Sequence, residues 1–162
     1  MLSPTRRLLT AWRRLSRIPG GRRVFDRLLR WMVPYSGSIR PRVLAMEPGR
    51  AVVAMPHRRR LRNHLRSVHA LALANLGELA SGIAMTLAIP DHARGIPVRL
   101  EVDYVKKARG RITAVGHAAP PPAVRAELED PATAELRDEA GDLVAKVVVT
   151  WKLAPRPETR HP

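Results

Sequence analysis

The chain has 162 residues, which is enough for one domain with a core of its own. It contains no cysteine, so disulfides, thiolate metal sites and cysteine nucleophiles are excluded, and an aromatic content of 4% leaves too few rings for a nucleic-acid stacking platform. The formal net charge is +15, and the whole excess comes from residues 1–66, which carry seventeen arginines against Asp26 and Glu47. Such a segment suits an anionic membrane surface or phosphate groups, although solvated basic faces are also common in an arginine-rich chain.

Residues 1–35 are predicted to form a basic amphipathic extension of two short helices. The first helix carries an apolar stripe that includes Leu8 and Trp12, and a break at Pro19 separates it from the second. The apolar positions of the second helix are Val24, Phe25, Leu28, Leu29 and Met32. For the second helix we favour packing against the domain. For the first, packing and peripheral contact with an anionic membrane through residues 1–30 both remain open.

A β-hairpin and a long apolar helix are predicted at the start of the main domain, which covers residues 36–153. Residues 38–46 and 51–55 are predicted strands that flank a turn containing Pro and Gly. The apolar run of residues 68–88 follows and is predicted to be helical. It is long enough to span a bilayer. Its polar interruptions and the strands that follow it favour a buried core helix instead.

The remaining sequence alternates apolar and polar residues as antiparallel strands do. Residues 98–104 and 111–117 are predicted strands, and a third runs toward Leu136 with Pro131 as an interruption or bulge. A fourth strand begins at Leu143, and the polar tail of residues 154–162 is predicted to be flexible. One sheet wrapped around one long helix satisfies this burial pattern, so the predicted fold class is α+β.

Glu78 is the single charge in the middle of the apolar helix. A carboxylate in such a position is costly to bury unless it is paired or used in chemistry. His69 lies nine residues before it, and Asn63 lies six before His69. This spacing, together with the segment Tyr-Val-Lys-Lys-Ala-Arg-Gly at residues 104–110, resembles the hotdog-fold acyl-CoA thioesterases, in particular the phenylacetyl-CoA type. The resemblance covers about residues 36–153.

The resemblance implies a hotdog fold, an antiparallel sheet around one helix, and a role for each motif residue. Glu78 would act as base or nucleophile, and Asn63 would position the carbonyl or the water. His69 would support the helix start, and the backbone N–H of Ala70 would bind the developing oxyanion. There is one departure, since the family usually has His-Gly-Gly at the helix start where this chain has His69-Ala70-Leu71. A purely structural His69 is an equally open alternative.

The same chemistry follows from physical argument. Backbone N–H groups at a helix N-terminus stabilise negative charge, and a carboxylate can activate water or attack directly. Ala70 and Glu78 are eight residues apart, which is about 12 Å along a helix. One chain therefore cannot bring both groups to the same carbonyl carbon. A shared site requires at least a homodimer with antiparallel helices.

We therefore expect a cytoplasmic acyl-CoA thioesterase that forms a homodimer or a dimer of dimers. No metal is expected, no cofactor beyond the CoA of the substrate, and no nucleic-acid partner. The cations expected to contact the CoA phosphates are Arg58, Arg59, Arg60, Lys106, Lys107 and Arg109. The alternative is a non-catalytic hotdog protein that binds acyl-CoA or an acyl lipid. A third class, a protein that uses its basic N-terminus on a membrane surface or a nucleic acid, remains open.

Overall fold

A six-stranded antiparallel sheet wrapped around one long helix forms the core of the structure, a computed structural model that describes residues 4–157. Its elements are α1 (Pro4–Leu15), α2 (Gly21–Met32), α3 (Pro34–Gly37), β1 (Arg42–Glu47), β2 (Arg50–Met55), α4 (Ala70–Ala88), β3 (Ala93–Tyr104), β4 (Ile112–Ala118), β5 (Leu128–Arg137) and β6 (Leu143–Pro155). The strand order is β1-β2-β4-β5-β6-β3, and each neighbouring pair is antiparallel. This architecture confirms the predicted α+β class and the hotdog arrangement.

Helix α4 lies at the centre of the core. It is rich in Ala and Leu, which favour helix, and it ends where Ile89 precedes Pro90, a position that disfavours helical backbone. Twelve of its nineteen residues are buried. Gly116 of β4 allows the close approach of helix and sheet, because a Cβ there would lie 2.3 Å from the carbonyl oxygen of Ala80. By length and composition α4 could cross a membrane, but this burial makes it the core helix of the domain.

Both N-terminal helices pack on the domain. Trp12 of α1 is only 6% exposed and meets Phe25 of α2 edge to face, with ring centroids 5.1 Å apart. Phe25 and Leu29 are buried in the same core, whereas Val24 and the other predicted apolar positions of α2 are exposed. The prediction that α2 packs is thus confirmed for one side of the helix. The apolar side of α1, which the sequence left open to a membrane, packs against the core, as the burial of Trp12 shows.

The first strand starts later than predicted. Residues 38–41 do not belong to β1, because the short helix α3 and a backbone bend at Arg40, with φ of 52°, come first. The predicted hairpin turn is confirmed, with Gly49 at φ of 80°, a conformation that glycine adopts readily.

Two later strands also differ from the prediction. Pro131 lies inside β5 opposite Thr150 without a bulge, because β4 reaches only to Ala132 and leaves Pro131 with a strand on one side. Strand β6 continues to Pro155, so the first residues of the predicted flexible tail pair with β3. Residues 158–162 of that tail lie outside the described residues.

Candidate active site

His69 caps the N-terminus of α4. Its Nδ1 accepts a hydrogen bond from the backbone N–H of Leu71 at 3.1 Å, which requires an unprotonated Nδ1. The backbone N–H of His69 donates to the carbonyl oxygen of Leu61 at 2.8 Å, and the Tyr104 hydroxyl donates to the carbonyl oxygen of Ala70 at 3.2 Å. These three contacts hold the first turn of α4 against a loop and a strand end. His69 therefore has a positioning task at the helix start.

The backbone N–H of Ala70 is a free donor. It has no hydrogen-bond acceptor within residues 4–157, and Ala70 is exposed. N–H groups in the first turn of a helix have no partner within the helix, and the helix dipole makes this end electropositive. The group can therefore donate a hydrogen bond to an incoming oxyanion.

Asn63 organises its own loop. Its Oδ1 accepts hydrogen bonds from the backbone N–H of Leu65 at 3.0 Å, the backbone N–H of Ser67 at 3.2 Å and the Ser67 hydroxyl at 3.0 Å. The oxygen is thus occupied within residues 63–67, and only the amide NH₂ remains to meet a ligand. The expectation that Asn63 holds the attacking water does not fit this arrangement, because a short polar side chain in a tight loop satisfies nearby backbone groups first.

Glu78 is half-buried in the middle of α4 and has no hydrogen-bond or ion-pair partner within the described part of the chain. Burial raises the pKa of its carboxyl above the usual value of 4.5. The other polar interruption nearby, Ser81, donates to the carbonyl oxygens of Gly77 and Glu78 and so is satisfied inside the helix. Glu78 is therefore a carboxylate that the fold partly buries without a compensating charge in the described residues.

Glu78 lines two neighbouring pockets. The first has a volume of about 280 Å³ and is almost entirely apolar, and its walls come from α1, α2, α4 and β6. Besides Glu78 they include Leu8, Leu29, Met32, Leu79, Ile83 and Trp151. The Nε1 of Trp151 is buried here without a hydrogen-bond partner. An apolar cavity with a carboxylate at its edge suits an acyl chain whose reactive end lies at Glu78.

The second pocket lies on the outer side of Glu78, has a volume of about 380 Å³ and is lined by Tyr35, Leu71 and Asn75 among others. Leu71 is 66% exposed, so its side chain stands at the entrance. The Oδ1 of Asn75 is buried without a partner. Asn75 was not identified as a site residue from the sequence. Its position three residues before Glu78 in an apolar helix could have indicated it, because residues three apart lie on the same helix face.

The predicted phosphate-binding segments converge on the start of α4. The Leu61 carbonyl oxygen binds the backbone N–H of His69, and the Ala108 carbonyl oxygen binds the backbone N–H of Val68 at 2.8 Å. These contacts place Leu61 and Ala108 next to the start of α4. Four exposed cationic residues lie within two positions of them along the chain, namely Arg59, Arg60, Lys107 and Arg109. Guanidinium and ammonium groups near an electropositive helix start favour phosphate, so the prediction that these residues contact phosphate remains a prediction.

Two of the residues predicted to contact the CoA phosphates lie in different surroundings from the four cations at the helix start. The Lys106 ammonium pairs with Asp142 and, at 3.3 Å, with Asp138, and the Asp142 hydrogen bond raises its pKa. It therefore neutralises the β5–β6 turn. Arg58 lines a separate groove beside α2. Spacing along the chain could not separate these side chains from their neighbours. Within residues 4–157 no group of three or more His, Cys, Asp and Glu could hold a metal ion.

The face of α4 that carries Glu78 borders an open edge of the sheet. Strand β3 is an edge strand. Several of its large apolar side chains are exposed, namely Ile96, Val98, Leu100 and Tyr104. A long exposed apolar edge strand is a template for pairing with another chain.

Comparisons with known proteins agree with this architecture. A family model described as a domain of unknown function, DUF4442, matches residues 21–153. No curated protein matches the chain. Solved structures share the fold, among them the three described next. The protein APC5556 has 26% identity and a TM-score of 0.79, with 94% of this chain and 98% of that chain covered.

The other two structures carry thioesterase names. PA5026 from Pseudomonas aeruginosa, a protein of unknown function and probable thioesterase, has 23% identity and a TM-score of 0.72 over 86% of this chain and 97% of its own. Zebra fish thioesterase superfamily member 2 has 22% identity and a TM-score of 0.67 over 81% and 96%. These likenesses show that the chain shares the fold of these proteins, in agreement with the predicted hotdog arrangement.

Proposed function

The chain belongs to the DUF4442 family, and from its hotdog fold and the geometry above we propose that it is an acyl-CoA thioesterase. One observation carries the proposal. Glu78 is a half-buried carboxylate without a partner in the described residues, at the edge of an apolar pocket of about 280 Å³. A structural carboxylate would be paired, whereas a general base needs a free carboxylate with a raised pKa. The thioesterase names of two relatives with the same fold support the choice of reaction.

The reaction is hydrolysis with Glu78 as general base. The thioester carbonyl oxygen accepts a hydrogen bond from the Ala70 N–H, which stabilises the developing negative charge. Glu78 takes a proton from water as the water oxygen adds to the carbonyl carbon. The C–S bond then breaks, and the proton on Glu78 passes to the leaving sulfur. The products are a free acid and the CoA thiol, and Glu78 returns to its starting state.

The site is shared between two subunits. Ala70 and Glu78 are about 12 Å apart along α4, so Ala70 of one chain works with Glu78 of another. The exposed apolar edge of β3 borders the Glu78 face and is the surface on which a second copy would pair. A two-fold dimer built this way has two equivalent sites.

The two ends of acyl-CoA have separate sites in this arrangement. The acyl chain enters the apolar pocket, whose walls include Leu8, Leu29 and Met32 of the N-terminal helices. The CoA phosphates lie at the exposed cations around the start of α4, represented by Arg59 and Arg109, because a helix N-terminus and guanidinium groups both favour phosphate.

The test is a panel of acyl-CoA substrates with Glu78→Gln, which keeps the shape and removes the charge. The turnover number should fall by about 10²–10⁴-fold, the usual contribution of a general base. The matched control is Glu129→Gln, the same change at an exposed carboxylate on β5, which should leave turnover unchanged. Equal turnover of wild type and Glu78→Gln would exclude Glu78 from the reaction.

The second candidate is acyl-CoA or acyl-lipid binding without hydrolysis. It is favoured by His69-Ala70-Leu71 in place of His-Gly-Gly, because the Leu71 side chain stands at the entrance to the outer pocket beside Glu78. Saturable binding of acyl-CoA by the wild-type protein, without release of thiol over the whole panel, would establish this function.

A further inference from the structure

A basic groove lies between α2 and the edge strand β1, away from the pockets that contain Glu78. It is a concavity of about 600 Å³. Seven arginines line it, four from α2 and three from the ends of the β1–β2 hairpin. The groove also contains one acid, Asp26, which is 8% exposed and whose Oδ1 accepts a hydrogen bond from the backbone N–H of Val43 at 3.0 Å. We call this concavity the arginine groove.

The protein neutralises the positive charge of the arginine groove only in part, because Asp26, which interacts electrostatically with Arg30, Arg42 and Arg22, is one acid among seven arginines. None of the ion pairs within residues 4–157 involves any of the seven guanidinium groups. Two of the arginines have local contacts, since Arg22 lies over the Trp12 ring and Arg30 Nε donates to the backbone oxygen of Asp26. Arg23, Arg27 and Arg42 are exposed. Like charges held together by a scaffold repel one another until an anion enters.

We propose that the arginine groove binds a small molecule that carries several phosphates. The planar fork of a guanidinium group matches phosphate oxygens in pairs, and several forks around one concavity match several phosphates. The volume of the groove lies in the range of small-molecule sites. Its uncharged lining consists of Pro41, Val43, Leu44 and Pro56, with no ring on which a nucleic-acid base could stack.

A bound polyphosphate would act on α2. Arg23, Arg27 and Arg30 face the groove, while Leu29 and Met32 on the other side of the same helix line the apolar pocket. The ligand removes the repulsion along α2 and joins this helix to β1 through shared contacts. We therefore expect binding to slow hydrogen exchange in α2 and at the start of β1. This expectation does not depend on thioesterase activity.

The experiment is calorimetric titration of the full chain with inorganic tripolyphosphate at 150 mM NaCl. The groove variant replaces Arg23, Arg27 and Arg42 by Gln. The matched control replaces Arg7, Arg13 and Arg14 by Gln, three exposed positions of α1, so that both proteins lose the same charge. Wild type should bind one tripolyphosphate per chain saturably. Binding should be at least tenfold weaker in the groove variant and within twofold of wild type in the control, with exchange protection confined to α2 and β1.

Further titrations identify which phosphate-bearing molecule occupies the groove. Binding of a nucleoside triphosphate that CoA does not displace supports a site separate from the substrate. Displacement by CoA supports a groove that receives the phosphate end of CoA. Equal weakening in both triple variants, absence of saturable binding, or binding only to vesicles of anionic phospholipid would each overturn the proposal. If the triple variant unfolds, the single change Arg27→Glu reverses one exposed charge and should weaken binding in the same direction.

Discussion

The shared site can be tested by complementation between two inactive variants. Ala70→Pro removes the N–H assigned to the oxyanion and little else, because proline is favoured at the first helical position and this N–H has no acceptor within residues 4–157. His69 has φ of −65° and ψ of 138°, which is the backbone that a residue before proline prefers. Glu78→Gln removes the base. Both variants should fold as the wild type does.

The expected activities follow from the arrangement. Loss of one oxyanion donor lowers turnover by about 10²–10³-fold and loss of the base by about 10²–10⁴-fold, so each variant alone keeps roughly 1% or less. In a heterodimer, one site combines Ala70 of the Glu78→Gln chain with Glu78 of the Ala70→Pro chain, and the other site lacks both groups. A purified heterodimer should therefore show about half of the wild-type activity, since one of two equivalent sites is intact.

The assay uses co-expression of differently tagged chains, purification of heterodimers and measurement of thiol release. The control pairs wild type with a chain that carries both Ala70→Pro and Glu78→Gln. In the shared-site arrangement this control dimer has no intact site and should be nearly inactive. If each site belonged to one chain, the results would be reversed, with an inactive complementation dimer and a half-active control. That reversal would refute the conclusion that Ala70 and Glu78 of one chain lie too far apart to act on the same carbonyl carbon.

Three further outcomes are expected. Because burial raises the pKa of Glu78, the free energy of unfolding of the wild type should fall as the pH rises from about 4.5 through the raised pKa. Glu78→Gln should lack this decrease and should be the more stable protein at pH 8, as thermal unfolding from pH 4 to 8 would show. Trp12→Ala should lower the free energy of unfolding in urea by about 3–5 kcal/mol. Trp31→Ala removes a ring that is 82% exposed and should change this free energy by no more than about 0.5 kcal/mol. Equal decreases in the two variants would mean that α1 does not pack on the core. Arg109→Gln should raise KM for acyl-CoA and leave KM for a short thioester without the nucleotide unchanged. Lys106→Gln should alter neither KM, because carboxylates hold the ammonium group of Lys106 in the wild type. Parallel changes in KM on both substrates would mean that Arg109 supports the fold and does not contact CoA.

Much of the fold could be predicted from the sequence because it is encoded in short-range patterns. The apolar run with Glu78 at its middle predicted α4, since a helix without a polar face must be buried on all sides. Alternation with period two predicted the strands after it, because successive side chains of a strand face opposite sides of the sheet. The 12 Å between Ala70 and Glu78 is a property of helix geometry, so the proposal of a site shared between two subunits also comes from residue numbers, and the complementation experiment tests it.

Only the tertiary structure decided which of several compatible partners each residue takes. The apolar stripe around Trp12 suits a membrane or a core equally, and the aromatic contact with Phe25 resolves it. Asn63 and Lys106 are predicted site residues, but the Oδ1 of Asn63 accepts a hydrogen bond from Ser67 and the ammonium group of Lys106 pairs with Asp142. Such choices depend on distances between segments that are remote along the chain, and local propensity carries no information about those distances.

The arginine groove shows the same limit. Its arginines were visible as an excess of charge in residues 1–66, yet their spacing does not indicate that α2 and the ends of the β1–β2 hairpin enclose one concavity. A sequence states how many charges a segment carries. Whether those charges are dispersed in solvent or held around a single site is decided by the packing of the elements that bear them.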